Sequence, residues 1–355
     1  MTNTFFYSLM VYCLYREAVA SYMHKKIAFF EVAAWEKEWL VKNLTGFELK
    51  FYSFALDEEH VPLERYFQAI SVGSASRVTS GVLGGFLHLE LIAVRGKACE
   101  NIDLISCRER KVMVCRVPTH AVHAVAEFTF SLILALSRKV CEAALRRKTL
   151  GDISLDRLRG FDLWGKTLGV LGTGSIGSAV IRIAKGFGMQ VISWNPKQNL
   201  QLASELGFAY VPFLSVLSHA DILTIHLPYV LSGIGQTHHL LDREALAEMK
   251  RGALLINTSH RDIINNDVLP GMLQEGALGG VALDVAVEGL PEGLLEHERL
   301  IATPRIAFNT QETLEHLLRA TTENIRAYFR GFPQHVIGSN ASVKHLTGDY
   351  NVSEK

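Results

Sequence analysis

The residues with the clearest chemical meaning are three glycines with the spacing Gly172-x-Gly174-x-x-Gly177. An apolar strand is predicted immediately before them, at Thr167–Leu171, and an apolar helix at Ile176–Phe187. In such a unit the first glycine makes a tight turn, the second lets the backbone approach a diphosphate, and the third lets helix and strand pack closely. Unpaired amide groups at the positive end of the helix then face the diphosphate. The spacing therefore predicts a dinucleotide site.

Composition narrows the class of protein around this site. The 355 residues are enough for two domains, and 48% hydrophobic residues with 9 prolines are typical of a globular chain. Basic and acidic residues balance at 36 each, so no nucleic acid or membrane partner is expected. The 5 cysteines form no C-x-x-C pair, so neither a disulfide framework nor a metal site is predicted. Reduced thiols suggest a cytoplasmic protein.

The first 24 residues need a separate interpretation. Phe5–Tyr15 is apolar and Ala18–Ala20 has the small residues of a signal-peptidase site. However, no Lys or Arg precedes the apolar run, and the run is too short to span a bilayer. A first strand is predicted only at Ile27–Phe30, so residues 1–24 are expected to be a loose extension, and a chain starting at Met23 should fold unchanged.

Strand and helix patterns alternate twice along the chain, which predicts parallel sheets in two α/β domains. Between them lies an apolar segment, Val122–Leu145, whose apolar residues surround the helix; it is expected to be buried between domains or in a dimer interface. A final helix, Gln311–Phe329, would return the chain to the first domain. The predicted fold has two Rossmann-like parallel-sheet domains. The nucleotide domain, 118–310, is inserted into a discontinuous substrate domain, 25–117 and 311–340, followed by a tail, 341–355.

Several motifs occur in a specific order. They are Glu100–Leu104, Val117–Thr119 with Ala126–Thr129, Gly160–Thr167, Ile225–Pro228, Leu255–Thr258, Ala282–Val285 and Thr303–Thr310. Over residues 25–340 the chain resembles the D-isomer-specific 2-hydroxyacid dehydrogenases, most closely their D-lactate dehydrogenase-like branch. The resemblance implies an NAD-dependent oxidoreductase acting on the CH–OH group of a small D-2-hydroxy acid, or reducing the 2-keto acid. A homodimer is also expected.

The resemblance also implies a set of cofactor contacts. The dinucleotide would be bound by Gly172, Gly174, Ser175, Ile176, Gly177, Asn195, Leu227, Pro228, Thr258, Ser259 and Asp284. Asn195 stands at the end of the second strand, where an acidic residue usually binds the ribose hydroxyls. An amide lacks the charge that repels a 2′-phosphate, and Lys197 nearby could attract one. NAD is nevertheless the cofactor that the resemblance favours over NADP.

The acid–base positions depart from the family pattern. In the family an arginine binds the substrate carboxylate, a histidine exchanges the hydroxyl proton, and a glutamate pairs with that histidine. Here His260 stands at the arginine position, with Arg261 next to it, and Arg305 stands at the histidine position. Gly289 stands at the glutamate position, with Glu288 adjacent. The candidate catalytic residues are therefore His260, Glu288 and Arg305.

Three interpretations of these departures remain open. In the first, base and cation have exchanged places, so that His260 transfers the proton, Arg305 binds the carboxylate and Glu288 is the partner of His260. In the second, the reaction has changed while the nucleotide site is kept. In the third, the chain is a catalytically inactive NAD-binding regulatory or scaffold protein of the same fold. Arg305 itself cannot exchange a proton near neutral pH, because a guanidinium stays protonated.

Overall fold

The computed structural model describes residues 25–118, 121–151, 153–285 and 289–337. The predicted extension at 1–24, the predicted tail and Glu288 lie outside the described residues. Within the described residues, those before Ala121 and those after Thr310 cluster into one compact unit, and Ala121–Thr310 forms the other. No helix in these ranges is long and apolar enough to cross a membrane. The assignment of the first unit to substrate binding stays a prediction.

The first unit contains a six-stranded sheet in the order β13-β5-β4-β3-β1-β2. All pairs are parallel except β13 with β5. The strands are β1 (Lys26–Phe29), β2 (Glu48–Phe51), β3 (Ala69–Val72), β4 (Leu91–Val94), β5 (Met113–Cys115) and β13 (Val336–Ile337). The helices are α1 (Ala34–Asn43), α2 (Ser80–Gly84), α3 (Leu104–Glu109) and α12 (Gln311–Phe329). Every residue of β3 and β4 is buried, as expected for strands covered on both faces.

The second unit contains a seven-stranded sheet in the order β12-β11-β10-β9-β6-β7-β8, with all pairs parallel. Its strands are β6 (Thr167–Leu171), β7 (Gln190–Trp194), β8 (Ala209–Tyr210), β9 (Ile222–Ile225), β10 (Ala253–Asn257), β11 (Leu278–Asp284) and β12 (Leu300–Thr303). Chain order reverses between β6 and β9, and ligands of open α/β sheets bind at the carboxyl ends of the strands beside such a point. Two parallel-sheet domains, one inserted into the other, confirm the predicted fold class.

Helices flank this sheet. They are α4 (Val122–Ser137), α5 (Val140–Leu150), α6 (Ser175–Gly186), α7 (Leu200–Leu206), α8 (Phe213–His219), α9 (Arg243–Ala247), α10 (Leu269–Gln274) and α11 (Glu292–Leu295). Two short 3₁₀ turns, Arg261–Ile263 and Asn266–Val268, follow β10. Most helices here are short, and the core that they cover lies on the two faces of the sheet.

The prediction of one continuous helix through Leu145 is wrong, because the segment forms two helices. Helix α4 ends at Ser137 because Lys139 has a left-handed backbone, with φ of 53°. Helix α4 buries Phe130 and its other core residues, whereas α5 leaves Val140 and Leu145 55% and 63% exposed. The apolar pattern therefore combines a core helix with a second helix that has an exposed apolar face.

Candidate active site

The carboxyl ends of the strands in the second unit lie in one row. Leu171, the last residue of β6, pairs with Trp194 of β7 on one side and Ile225 of β9 on the other. Ile225 in turn pairs with Asn257 of β10, and the last residues of β11 and β12 pair with each other. Because all these strands are parallel, the loops that follow them leave from the same edge of the sheet. That edge carries all the sequence-predicted site residues that the structure describes.

Glycine is required at the three positions of the loop after β6 for different physical reasons. Gly172 has φ of 97°, and a Cβ there would lie 2.7 Å from the carbonyl oxygen of His226. A Cβ at Gly177 would lie 2.0 Å from the carbonyl oxygen of Gly172, so α6 can approach β6 only without a side chain. Gly174 caps α6, and no described atom lies within 4 Å of its Cβ position. Helix α6 begins with Ser175 and Ile176. The open space in front of Gly174 would allow a diphosphate to reach the amide groups of this helix start.

Hydrogen bonds join the loop after β7 to the glycine loop after β6 and to β8. Asn195 Oδ1 accepts a hydrogen bond from the Thr173 amide at 3.2 Å, and Asn195 Nδ2 donates to the Lys197 carbonyl. The Thr173 hydroxyl lies 2.7 Å from the Tyr210 hydroxyl, which accepts from the Asn199 amide at 3.2 Å. Both ends of the Asn195 carboxamide are thus engaged within the protein, and the side chain carries no charge.

The loops after β9 and β10 are joined directly. The Ser259 hydroxyl donates to the Leu227 carbonyl at 2.6 Å, and the Thr258 hydroxyl lies 3.2 Å from that of Thr129 on α4. Leu227 is buried. Pro228, which follows it, is exposed and accepts at its carbonyl oxygen a hydrogen bond of 2.8 Å from a later residue of the same loop, Thr237. The structure therefore brings the predicted contacts at 227–228 and 258–259 together.

His226 supports the glycine turn from behind. Its Nε2 lies 3.0 Å from the Thr224 hydroxyl, and burial lowers the pKa of its imidazole to about 3. The imidazole is therefore neutral throughout the physiological range. With the carbonyl oxygen of His226 facing Gly172, these contacts give the histidine a structural role.

His260 is held by a turn and by an aromatic ring. It caps the 3₁₀ turn Arg261–Ile263, its Nδ1 accepting the Asp262 amide hydrogen bond at 3.2 Å. The imidazole stacks on the Tyr229 ring with a centroid separation of 4.0 Å. Because a backbone amide can only donate, a neutral His260 in this arrangement has its proton on Nε2. The side chain is 47% exposed.

The carboxylate of Asp262 lies beside His260, and this residue was not predicted from the sequence. Its Oδ2 lies 3.8 Å from His260 Nδ1, and its Oδ1 accepts from Arg261 Nε at 2.9 Å. The guanidinium of Arg261 in turn lies against Gly289, since a Cβ there would be 3.3 Å from Arg261 Nη1. The signal for Asp262 was its place two residues after His260, in the turn that the histidine caps.

Arg305 lies on an exposed turn after β12 and has φ of 56°. Asp284, only 5% exposed, fixes this turn: its carboxylate accepts from the Thr303 hydroxyl at 2.7 Å and from the amides of Ile306 and Ala307 at 2.8 and 2.9 Å. These three acceptor interactions make Asp284 a positioning residue for Arg305. A role for Asp284 in binding the dinucleotide stays a prediction.

Metal binding finds no support in the described part of the chain. No group of three or more His, Cys, Asp or Glu residues there could hold a metal ion. The site therefore consists of a glycine loop, a short row of polar turns, and two cationic or titratable side chains, His260 and Arg305.

Comparison with known proteins identifies the second unit. The family described as D-isomer specific 2-hydroxyacid dehydrogenase, NAD binding domain, matches residues 130–307. A 2-hydroxyacid dehydrogenase homolog of Haemophilus influenzae is 30% identical over 84% of this chain and 95% of its own length. The apo-structure of D-lactate dehydrogenase from Escherichia coli is 30% identical and superposes with a TM-score of 0.80, covering 88% of this chain and all of that one. D-lactate dehydrogenase from Aquifex aeolicus, solved with NAD and lactic acid, is 28% identical with a TM-score of 0.73, covering 86% of this chain and 96% of that one.

Proposed function

Because this chain belongs to the D-isomer specific 2-hydroxyacid dehydrogenase family, whose NAD-binding domain it contains, we propose that it is an NAD-dependent oxidoreductase of a small D-2-hydroxy acid. The substrate would be D-lactate or a close analogue, and the reverse reaction would reduce the 2-keto acid. One observation carries the proposal: His260 and Arg305 follow strands of the same parallel sheet in which β6 leads into the glycine loop.

The described residues fit the cofactor. The open space at Gly174 and the start of α6 would hold the diphosphate, and the joined loops at Leu227 and Ser259 would line the path toward the nicotinamide. When bound, NAD supplies the acceptor or donor of hydride at the substrate C2 atom. The protein then has to fix the carboxylate of the substrate and move one proton at its C2 oxygen.

His260 is the group proposed to move that proton. In reduction, C2 gains hydride and the carbonyl oxygen gains a proton from Nε2 of a protonated His260; oxidation returns both. A protonated imidazole also has a hydrogen on Nδ1, which cannot keep its bond to the Asp262 amide. The Asp262 carboxylate lies 3.8 Å from Nδ1 and would accept a hydrogen bond from Nδ1–H after a movement of roughly 1 Å. Asp262 thus offers the partner carboxylate for which the sequence analysis named Glu288.

Arg305 is proposed to bind the substrate carboxylate. A guanidinium keeps its charge and offers parallel donors to two carboxylate oxygens, which suits this role and not proton transfer. The Asp284 hydrogen bonds would hold the turn in place while the substrate binds. Base and cation would then have exchanged places relative to the family pattern.

Catalytic turnover of a 2-keto acid would distinguish this proposal from its alternative, an inactive NAD-binding regulatory or scaffold protein. The alternative is favoured by the His260 Nδ1 cap, which occupies the nitrogen that a partner carboxylate would need. The test is oxidation of NADH by the purified chain with pyruvate and larger 2-keto acids, alongside the rise in melting temperature caused by NAD. Turnover with any keto acid supports the enzyme. A melting shift without turnover across the panel supports the alternative.

We also propose that the chain forms a homodimer and acts in the cytoplasm. Two surfaces of the second unit support association: Val140 and Leu145 expose an apolar face on α5, and an apolar groove of about 430 Å³ runs between α4 and α6 beside Phe130 and Ile183. Light scattering of the purified chain would measure the mass in solution. A monomer at micromolar concentration would contradict the dimer without affecting the proposed reaction.

A further inference from the structure

The loops after β6, β7 and β8, which would surround the adenosine of the cofactor, contain no carboxylate. They are residues 172–174, 195–199 and 211–212, and none contains Asp or Glu. The loop after β9, residues 226–242, contains a single one, Asp242, whose side chain caps α9. The first acidic residue after β7 is Glu205, on the last turns of α7, where it accepts a hydrogen bond from Gln201. The negative charge that normally discriminates against a phosphate at the ribose is therefore missing from this end of the site.

Asn195 occupies the position of the discriminating carboxylate. Its oxygen accepts from the Thr173 amide in the glycine loop, and its nitrogen donates to the Lys197 carbonyl in its own loop, so both ends of the side chain are bonded within the protein. A carboxylate at the same place would accept from both ribose hydroxyls and would repel a phosphate on one of them. The neutral, internally bonded amide has no charge with which to exclude a phosphate.

Lys197 adds a positive charge to the same loop. The residue is exposed, and none of the described carboxylates lies within ion-pair distance of its ammonium group. A lysine ammonium is a compact point charge that binds phosphate well, and a phosphate monoester carries nearly two negative charges at neutral pH. The loop thus combines the absence of a repelling group with the presence of an attracting one.

We infer that the adenosine end of this site accepts the 2′-phosphate of NADP as well as the 2′-hydroxyl of NAD, with Lys197 as the phosphate-binding cation. The inference extends the cofactor range beyond NAD. It depends on the nucleotide-binding unit alone and not on the acid–base roles of His260 and Arg305.

Binding titrations of the full chain with NAD and NADP, measured by calorimetry, test the inference. The dissociation constant for NADP is expected to lie within about tenfold of that for NAD. Asn195→Asp should raise the ratio of the NADP to the NAD dissociation constant about tenfold or more, because it places a carboxylate beside the phosphate. Lys197→Ala should weaken NADP about three- to tenfold and leave NAD unchanged. Lys185→Ala, which removes the same charge from the last turn of α6, is the matched control and should change neither.

The outcomes distinguish this inference from the proposed function. NADP binding more than about a hundredfold weaker than NAD in the wild type would overturn the inference and leave the dehydrogenase proposal intact. Equal effects of Lys197→Ala on both cofactors would remove the role of Lys197 as the phosphate-binding cation. Salt should weaken NADP more steeply in the wild type than in Lys197→Ala, since that attraction is screened. Binding of neither cofactor would contradict the nucleotide site on which both proposals depend.

Discussion

The loops after β6 and β9 and the loops after β10 and β12 leave the same edge of one sheet but are shaped by different interactions. In the first pair, backbone meets backbone: Gly172 and Gly177 allow approaches that any side chain would block. In the second pair, side chains determine the turns: His260 caps one, and Asp284 fixes the other with three hydrogen bonds. Steric requirements of the backbone admit few substitutions, whereas a turn held by side chains can exchange its functional groups. Residues predicted to bind the dinucleotide lie in the first pair, and the candidate catalytic residues His260 and Arg305 lie in the second.

The largest effect is expected from His260→Ala. If His260 transfers the proton, turnover of the keto acid should fall about 10²–10⁴-fold while the dissociation constant for NAD stays within about twofold. Steady-state kinetics and an NAD titration measure the two quantities. Equal losses of turnover and NAD binding would mean that His260, with its stack on Tyr229 and its cap of the 3₁₀ turn, has only a structural role. The second pair of loops would then not differ from the first in carrying a catalytic side chain.

Gly177→Ala tests the steric side of the comparison. A Cβ placed 2.0 Å from the Gly172 carbonyl oxygen must push α6 away from β6, which should cost about 2–4 kcal/mol of unfolding free energy and abolish NAD binding. Denaturant melts and NAD titration measure both. The matched control is Gly186→Ala in the same helix, where no described atom lies within 4 Å, and there the change should be neutral or stabilising by up to about 1 kcal/mol. A tolerated Gly177→Ala would refute the steric explanation.

Asp284→Asn tests the turn that carries Arg305. The variant keeps the shape of the side chain, but its amide group cannot accept from both the Ile306 and Ala307 amides. The expected cost is about 1–3 kcal/mol of unfolding free energy, with a KM for the keto acid that rises more than the dissociation constant for NAD. If NAD binding weakens instead and KM is unchanged, Asp284 acts on the cofactor, as the resemblance implied, and does not position Arg305.

His226 should give stability a dependence on pH. Its pKa in the folded state is about 3, below the ordinary value of 6.5, so the unfolded chain binds more protons as the pH falls between these values. Its contribution is complete above about pH 6.5 and decreases toward pH 3, with a slope of at most about 1.4 kcal/mol per pH unit. His226→Gln should flatten the curve of unfolding free energy against pH. His219→Gln, at an exposed position on α8, is the control, and an identical flattening there would contradict the assignment.

Most of the fold followed from the sequence because buried parallel strands are continuous apolar runs. The structure places β6 and α12 at Thr167–Leu171 and Gln311–Phe329, as predicted. The short strands β5 and β13 were missed because they have only three and two residues and carry no pattern of their own. The helix break at Lys139 was also missed, since neither glycine nor proline marks the left-handed residue.

The sequence by itself determined the glycine loop, the NAD-binding domain and the family, because glycine spacing and strand order are properties of the backbone that the chain encodes locally. Only the tertiary structure decided what the candidate catalytic positions contact across the sheet. It stacked the imidazole of His260 on Tyr229 and directed the oxygens of Asp284 to the turn of Arg305. Asp284 is 19 to 23 residues away in the chain from the residues of the turn that it binds. Tyr229 lies in the loop after β9, whereas His260 lies in the loop after β10. Such contacts depend on which strands are neighbours in the sheet, and that neighbourhood exists only in the folded protein.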